Sequence, residues 1–265
     1  MQPGLHIFGD DGMPGQRPFD VAVVMPTLLR PSIFHALRSV FAQIGDLRVQ
    51  VMIGLDQPPP EQAEQLLKAA LQTRPSGWCV HVLWPGYSTS QRHGGFGKAK
   101  DGGVLRSVLS QLSNASRIAY LDDDNWWAPE HLSGLLGAIE GHDWAWSGRW
   151  FMHPRTLKPI CPDIWESAGP GEGIFSERFG GFVDPNCLMI DRCRVPQVLD
   201  LWNRPLEDDP TQMTADRTVF AALKALDGRP SGKYSTFYVM RETDGMHPVR
   251  LNVMGQKWEE AGRHA

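Results

Sequence analysis

The chain has 265 residues, enough for one large domain or two small ones, and 42% of them are apolar, so a sizeable core is available. A net charge of −4 without any long Lys/Arg block argues against a nucleic-acid binder, which would show a basic face. No apolar run has the length of a transmembrane helix, the N-terminal segment lacks the charged start and apolar stretch of a secretory signal, and the four cysteines (Cys79, Cys161, Cys187 and Cys193) are spaced for neither a zinc site nor a disulfide framework, so a cytoplasmic protein with reduced thiols is expected.

In chain order, residues 1–18 are Gly/Pro-rich and are expected to be mobile. Residues 21–25 are a near-continuous apolar run, the pattern of a buried parallel strand that Pro26-Thr27 ends. Ser32 then caps a helix carrying Ile33, Phe34, Leu37, Val40, Phe41 and Ile44 on one face. A second strand spans residues 49–55 and ends at Asp56, a helix follows over 61–72, and a third strand spans 79–84. A long Gly-rich connection over 86–103 leads to a helix over 104–112 and a fourth apolar run over 118–121. Alternating strands and helices over residues 20–140 predict a mostly parallel sheet covered by helices on both faces, with ligands at the carboxyl ends of the strands. Thr27, Asp56 and Asp122–Asp124 all fall at such ends.

Three adjacent carboxylates, Asp122, Asp123 and Asp124, follow the fourth strand and precede Asn125-Trp126-Trp127. They repel one another, so something positive should sit there. A hard divalent cation suits them, because Mg²⁺ or Mn²⁺ takes one or two carboxylates plus substrate phosphates; a polar turn that caps the next helix is the simpler alternative. Pro129 opens that helix, with Leu132, Leu135, Leu136 and Ile139 on one face. The second half is less regular: a strand over 143–151, a loop-like stretch over 153–185, a strand over 185–190, a helix marked by Val195, Val198, Leu199 and Trp202, a stronger helix over 216–226, a strand over 235–240, and a polar tail over 241–265 containing His247. Division into residues 1–18, a single domain over 19–250 with halves 19–140 and 141–250, and a tail over 251–265 is expected.

Individual motifs are ambiguous. GGFGK over 94–98 fails the Walker pattern, with Arg92 at the first Gly position and Ala99 where Ser or Thr would hold a metal, and it fails the dinucleotide fingerprint at Lys100. Lys98 and Lys100 remain candidates for phosphate contact, in a Gly-rich loop before a helix. Asp216 is either a carboxylate complementing a helix dipole or a general base, and His247 is either a solvated imidazole or a metal ligand.

Together these segments resemble a known family. VAVVMPTLLRP resembles the first strand and loop of family 2 glycosyltransferases of the GT-A fold, whose pattern runs roughly VSVVIPTYNR; Pro26, Thr27 and Arg30 match, and Leu28-Leu29 replace Tyr-Asn. YLDDDNWWAPEHL is similar to the DXD segment of that family, especially its spore-coat polysaccharide type. The resemblance covers roughly residues 20–250 and implies a GT-A fold, a Rossmann-like, mostly parallel sheet flanked by helices with a less regular acceptor half. It further implies that Pro26, Thr27, Leu28, Arg30, Asp56, Asp122 and Asp123 contact the nucleotide, that Asp124 and His247 hold Mn²⁺ or Mg²⁺, and that Asp216 in TADRTVFAAL is the base. FVDPNCLMIDR resembles the acceptor-side strand, with Asp184 in the loop before it. The family often has A-R-N-x-G before the third helix, and residues 99–103 depart from it as Ala-Lys-Asp-Gly-Gly, so either Lys98 or Lys100 meets the phosphates. Among the ten tryptophans, Trp126, Trp127, Trp150 and Trp165 are candidates to stack on sugar faces or to be core; Trp150 is assigned to the acceptor side.

The activity implied is an inverting, metal-dependent glycosyltransferase taking a nucleoside-diphosphate sugar, expected to be a UDP-sugar, to a hydroxyl acceptor in polysaccharide or glycoconjugate synthesis. The absence of a spanning segment leaves peripheral membrane association open. Two alternatives stand beside it: a catalytically inactive nucleotide-sugar-binding module, for which Asp216 has no use, and a sugar-nucleotide pyrophosphorylase, whose early Gly-rich loop is missing from PTLLRPS.

Overall fold

The computed structural model describes residues 1–9, 17–99, 102–206 and 215–263. Its strands are β1 (Gly4–Phe8), β2 (Val21–Thr27), β3 (Val49–Leu55), β4 (Cys79–Trp84), β5 (Arg117–Tyr120), β6 (Trp126–Trp127), β7 (Trp144–Met152), β8 (Pro159–Pro162), β9 (Gly169–Pro170), β10 (Gly181–Phe182), β11 (Leu188–Asp191) and β12 (Gly228–Val239). The helices are α1 (Ile33–Phe41), α2 (Glu61–Leu71), α3 (Gly103–Leu112), α4 (His131–Ile139), α5 (Ser176–Phe179), α6 (Ala215–Leu223), α7 (His247–Met254) and α8 (Gln256–Gly262).

Among the described residues ten strands form one sheet in the order β1-β4-β3-β2-β5-β11-β7-β12-β6, with β8 on β7. β4, β3, β2 and β5 run parallel, β11 is inserted antiparallel, and β7 and β12 are again parallel. β2 and β3 are buried along their whole length, which explains their unbroken apolar sequence. One face packs on α1, α2 and α4 through Val23, Met25, Leu37, Ile53, Leu67 and Leu135. The other packs on α3, the 3₁₀ segment Pro196–Asn203 and α6 through Val24, Leu105, Leu109, Tyr120, Trp202 and Phe220. Helices on both faces leave the carboxyl edge of β2, β3 and β5 as the open edge. Gly102 brings α3 to that edge: its φ is +76°, and a Cβ there would stand 2.5 Å from the Cβ of Pro26.

Several segments differ from expectation, among them the loop-like stretch over 153–185, which carries β8, β9, α5 and β10. Of residues 1–18, expected to be mobile, Gly4–Phe8 form an edge strand antiparallel to β4, with Phe8 packed on the core. The stretch over 241–265 carries α7 and α8, anchored by buried Arg250, Met254 and Ala261 rather than by an apolar stripe visible in the sequence. Trp126-Trp127 pair with β12 because the chain leaving β5 turns back along the sheet.

The helix that Pro129 opens carries a buried histidine. His131 stacks on Trp127 at 4.3 Å, and its Nδ1 lies 2.8 Å from Ser235 Oγ. Burial pushes its pKa down to about 3, from an ordinary value of 6.5. The unfolded chain therefore binds a proton that the folded chain excludes, and stability is lost as pH falls from 6.5 towards 3. His131→Phe keeps the stacked ring and cannot titrate. In denaturant titrations between pH 7.5 and 4.5 the variant should lose less stability than the parent, by up to about 1.4 kcal/mol per pH unit. Identical slopes would show that His131 does not contribute to the acid limb.

Candidate active site

The carboxyl edge is built from the turn after β2. Thr27 Oγ1 donates to Asp123 Oδ2 at 2.5 Å and accepts the Leu29 N–H at 2.7 Å. Leu29 adopts φ +58°, a left-handed conformation that costs an L-residue roughly 1–2 kcal/mol. That strained turn exposes Leu28 and directs Arg30 onto Asp123, with Nε at 3.4 Å from Oδ2 and Nη2 on Oδ1. Asp123 is thus fully held at 1% exposure, its charge answered by a guanidinium and a hydroxyl.

The other two acids of the triplet are also paired. Asp122 meets Arg106 of α3 and accepts from Asn186 Nδ2 at 2.9 Å, while its own N–H donates to Asn186 Oδ1 at 2.6 Å. Asp124 Oδ2 accepts from Arg241, just past β12, with Nε at 2.8 Å, and Arg30 Nη1 stands 3.5 Å away. The repulsion within the triplet is therefore answered by three guanidiniums, Arg30, Arg106 and Arg241. Burial, and next the charge of Asp122, still push the Asp124 carboxyl above its ordinary range against Arg241 and Arg30. Among the described residues no set of three or more His, Cys, Asp and Glu side chains is placed to hold one ion. His247 begins α7, its backbone N–H donates to Asp244 O at 2.9 Å, and its ring packs edge-on against Trp258 at 5.0 Å.

At the end of β3, Asp56 is buried. Its Oδ1 accepts Thr89 N–H at 2.7 Å and Thr89 Oγ1 at 2.5 Å, and its Oδ2 accepts Ser88 Oγ at 2.8 Å. One of the roughly four acceptor positions of a carboxylate remains on Oδ2. Lys98 is exposed in the Gly-rich loop; Lys100 lies outside the described residues.

Beyond this edge a buried ionic network organises Asp184, the residue expected on the acceptor side. Arg149 of β7 donates to Asp163 at 2.7 Å, Glu166 at 3.0 Å and Asp184 at 2.5 Å, and stacks 4.0 Å above the Tyr238 ring. Arg250 of α7 shares Glu166 through two bonds of 2.7 Å and reaches Asp244 at 2.7 Å. Burial pushes the Asp184 carboxyl up despite Arg149, whereas Arg149 and three backbone N–H groups overcome burial to hold Asp163 below the usual range. Asn186 ties the triplet to this network, since its Nδ2 also donates to Asp184 Oδ1 at 2.7 Å. Asp216 lies in the first turn of α6, where its Oδ1 accepts the Arg217 N–H at 2.7 Å, and the Arg217 guanidinium covers Phe182 at 3.5 Å. Trp127 belongs to the core, its Nε1 donating to Asn186 O at 2.8 Å. Trp126 stacks on Phe237 at 5.5 Å, Trp165 stacks on Phe151 at 6.1 Å, and Trp150 is half-buried in the β7 ladder.

Thr27, Arg30 and Asp122–Asp124 thus meet at one edge, and Asp184 connects to it through Asn186. Arg106, Arg149, Asn186 and Arg241 escape sequence reasoning. Asn186 stands two residues after Asp184 and Arg241 two residues past β12, but their partners are 64 and 117 positions away.

No protein-family model matches the sequence, and no curated protein matches it. Solved structures do. Residues 1–349 of S. aureus TarS, a GT-A-like glycosyltransferase, align at 14% identity over 83% of this chain and 60% of that one, with a TM-score of 0.57. The chain has a GT-A fold. A longer TarS structure aligns at 13% identity over 91% of this chain and 41% of its own length, TM-score 0.58. TarS 1–349 in complex with UDP-GlcNAc aligns at 14% identity over 86% of this chain and 60% of that one, TM-score 0.57. The chain therefore spans about 60% or less of these three structures.

Proposed function

We propose that this GT-A chain is a glycosyltransferase that moves a sugar from a uridine-diphosphate sugar to a hydroxyl acceptor with inversion. The observation that carries this reading is the convergence of Thr27, Arg30 and Asp122–Asp124 on the carboxyl edge of a mostly parallel sheet, where such folds bind ligands. Two of the similar structures are TarS 1–349 in complex with UDP-GlcNAc and with UDP, which supports a uridine donor. Within the fold, the motif sequences favour family 2 and its spore-coat polysaccharide type. The acceptor is a carbohydrate or another hydroxyl compound, reached from the cytoplasm; no helix among the described residues is long and apolar enough to cross a membrane.

In this reading Asp56 offers its remaining acceptor position to the N3–H of uracil, Leu28 flanks the base, and Lys98 or Lys100 adds to the diphosphate site. The donor chemistry at Asp124 suits one bond to Mg²⁺ or Mn²⁺: a hard carboxylate oxygen beside a place for substrate phosphates. Such an ion would act as a Lewis acid on the leaving diphosphate. His247 would join it only by leaving Trp258. Asp216 accepts the proton of the attacking hydroxyl, and Asp184 and Trp150 line the acceptor side.

The test is thermal stabilisation by nucleoside diphosphates and their sugars, with and without Mn²⁺ or Mg²⁺, since a ligand that binds only the folded state raises its stability. UDP should stabilise and ADP should not. 3-Methyluridine diphosphate, which cannot donate at N3, should bind more weakly than UDP by the roughly 1–3 kcal/mol that an unpaired buried acceptor costs. Equal affinity for the two uridine nucleotides would remove the role given to Asp56.

A further inference from the structure

We infer that Arg241 and Arg30 are the groups that take the donor's diphosphate, and that Asp124, which pairs with Arg241, competes with the diphosphate for it. This rests on the nucleotide-donor reading above. Of the three arginines on the triplet, Arg106 is unsuited: its side chain is 7% exposed, fixed on Asp122 and set 5.3 Å over the Trp202 ring. Arg241 and Arg30 have side chains 52% and 40% exposed and approach Asp124 from opposite elements, the end of β12 and the turn after β2. Each guanidinium presents a planar fork that fits phosphate oxygens in pairs. The two are close enough that the charge of Arg241 opposes that of Arg30. Arg30 is also held by Asp123, so carboxylates and guanidiniums balance at this edge; a diphosphate, carrying more than one negative charge, binds by competing with Asp124 for Arg241 and by reaching the exposed side of Arg30.

A consequence follows for the cation. Asp124 Oδ2 is engaged by Arg241, so a divalent ion competes with that guanidinium for the carboxylate. When the diphosphate draws Arg241 away, Asp124 is left as a mostly buried anion that favours a cation. Diphosphate and cation therefore assist each other, and linkage requires the assistance to be reciprocal.

The experiment is calorimetric titration of UDP in excess EDTA, and separately of Mn²⁺ into nucleotide-free protein, for the parent, Arg241→Gln, Arg241→Lys and Asp124→Asn. Arg241→Gln should weaken metal-free UDP binding about tenfold or more, with Arg241→Lys between it and the parent. Asp124→Asn should strengthen metal-free UDP binding, because it frees Arg241. In the nucleotide-free protein Arg241→Gln should bind Mn²⁺ severalfold more tightly than the parent. Parent-like UDP affinity in Arg241→Gln, or unchanged or weaker Mn²⁺ affinity, would overturn the inference. A parent that binds no nucleotide under any condition would overturn the donor reading as well, whereas UDP binding insensitive to Arg241 would overturn this inference alone.

Discussion

Asp216→Asn should leave UDP binding unchanged and lower sugar transfer by a factor on the order of 10² or more. Asp216 sits in the first turn of α6, and that helix is locked into the domain by Val219, Phe220 and Leu223, all buried on the face that also holds Trp144 and Phe182. A carboxylate on an anchored helix start has a fixed direction, as proton acceptance from an attacking hydroxyl requires. The Asn side chain keeps the shape and removes the proton-accepting charge. Because the proposed donor contacts lie at the β2, β3 and β5 ends, the variant separates transfer from binding. It also separates an enzyme from a module that only binds, for which Asp216→Asn changes nothing measurable. Full transfer by the variant would reduce Asp216 to a helix-start residue and pass the role to Asp184, or to Glu207, Asp208 or Asp209, which lie outside the described residues.

Arg149→Ala should destabilise the protein by roughly 3–5 kcal/mol, the cost of removing one partner from a buried ionic network. Arg149 is 1% exposed, and its removal leaves Asp163, Glu166 and Asp184 facing one another with Arg250 alone in reach of Glu166. The deficit should depend on pH. Burial already raises the Asp184 carboxyl with Arg149 present. Without that cation it rises further, so the folded variant takes up a proton that the unfolded chain lacks, and the deficit shrinks as pH falls towards the unfolded carboxylate range. Urea titrations at pH 8 and pH 5 read both effects. A loss below about 1 kcal/mol, or a deficit that grows on acidification, would show that the network does not hold the region around Asp184 together.

How much of this was legible in the sequence depends on the range of the interactions. β2, β3 and β4 announce themselves because strands buried on both faces must be apolar throughout, and α1 to α4 because their buried residues recur with helical period. The edge position of Thr27, Asp56 and the Asp triplet follows from alternation alone, and their chemistry from the resemblance to glycosyltransferase motifs. What sits opposite the triplet was not legible. Arg106, Arg241 and Asn186 reach it from 16, 117 and 64 positions away, and no local pattern marks a residue whose role is to pair at such distance. The mutual repulsion of the triplet calls for positive charge, and Arg30, Arg106 and Arg241 supply it. β1, α7 and α8 escaped because edge strands and short surface helices bury only a few residues each; α7 and α8 together bury Arg250, Met254 and Ala261.

The most direct measurement is the anomeric configuration of the product. The protein would be incubated with the uridine-diphosphate sugar that stabilises it best and a panel of hydroxyl acceptors, and released UDP and the new glycosidic linkage would be followed by proton NMR. Release of UDP matched by a product of configuration opposite to the donor is the predicted result. A product that keeps the donor's configuration would contradict single displacement by a base at Asp216, and no UDP release from any donor across the panel would contradict the glycosyltransferase assignment.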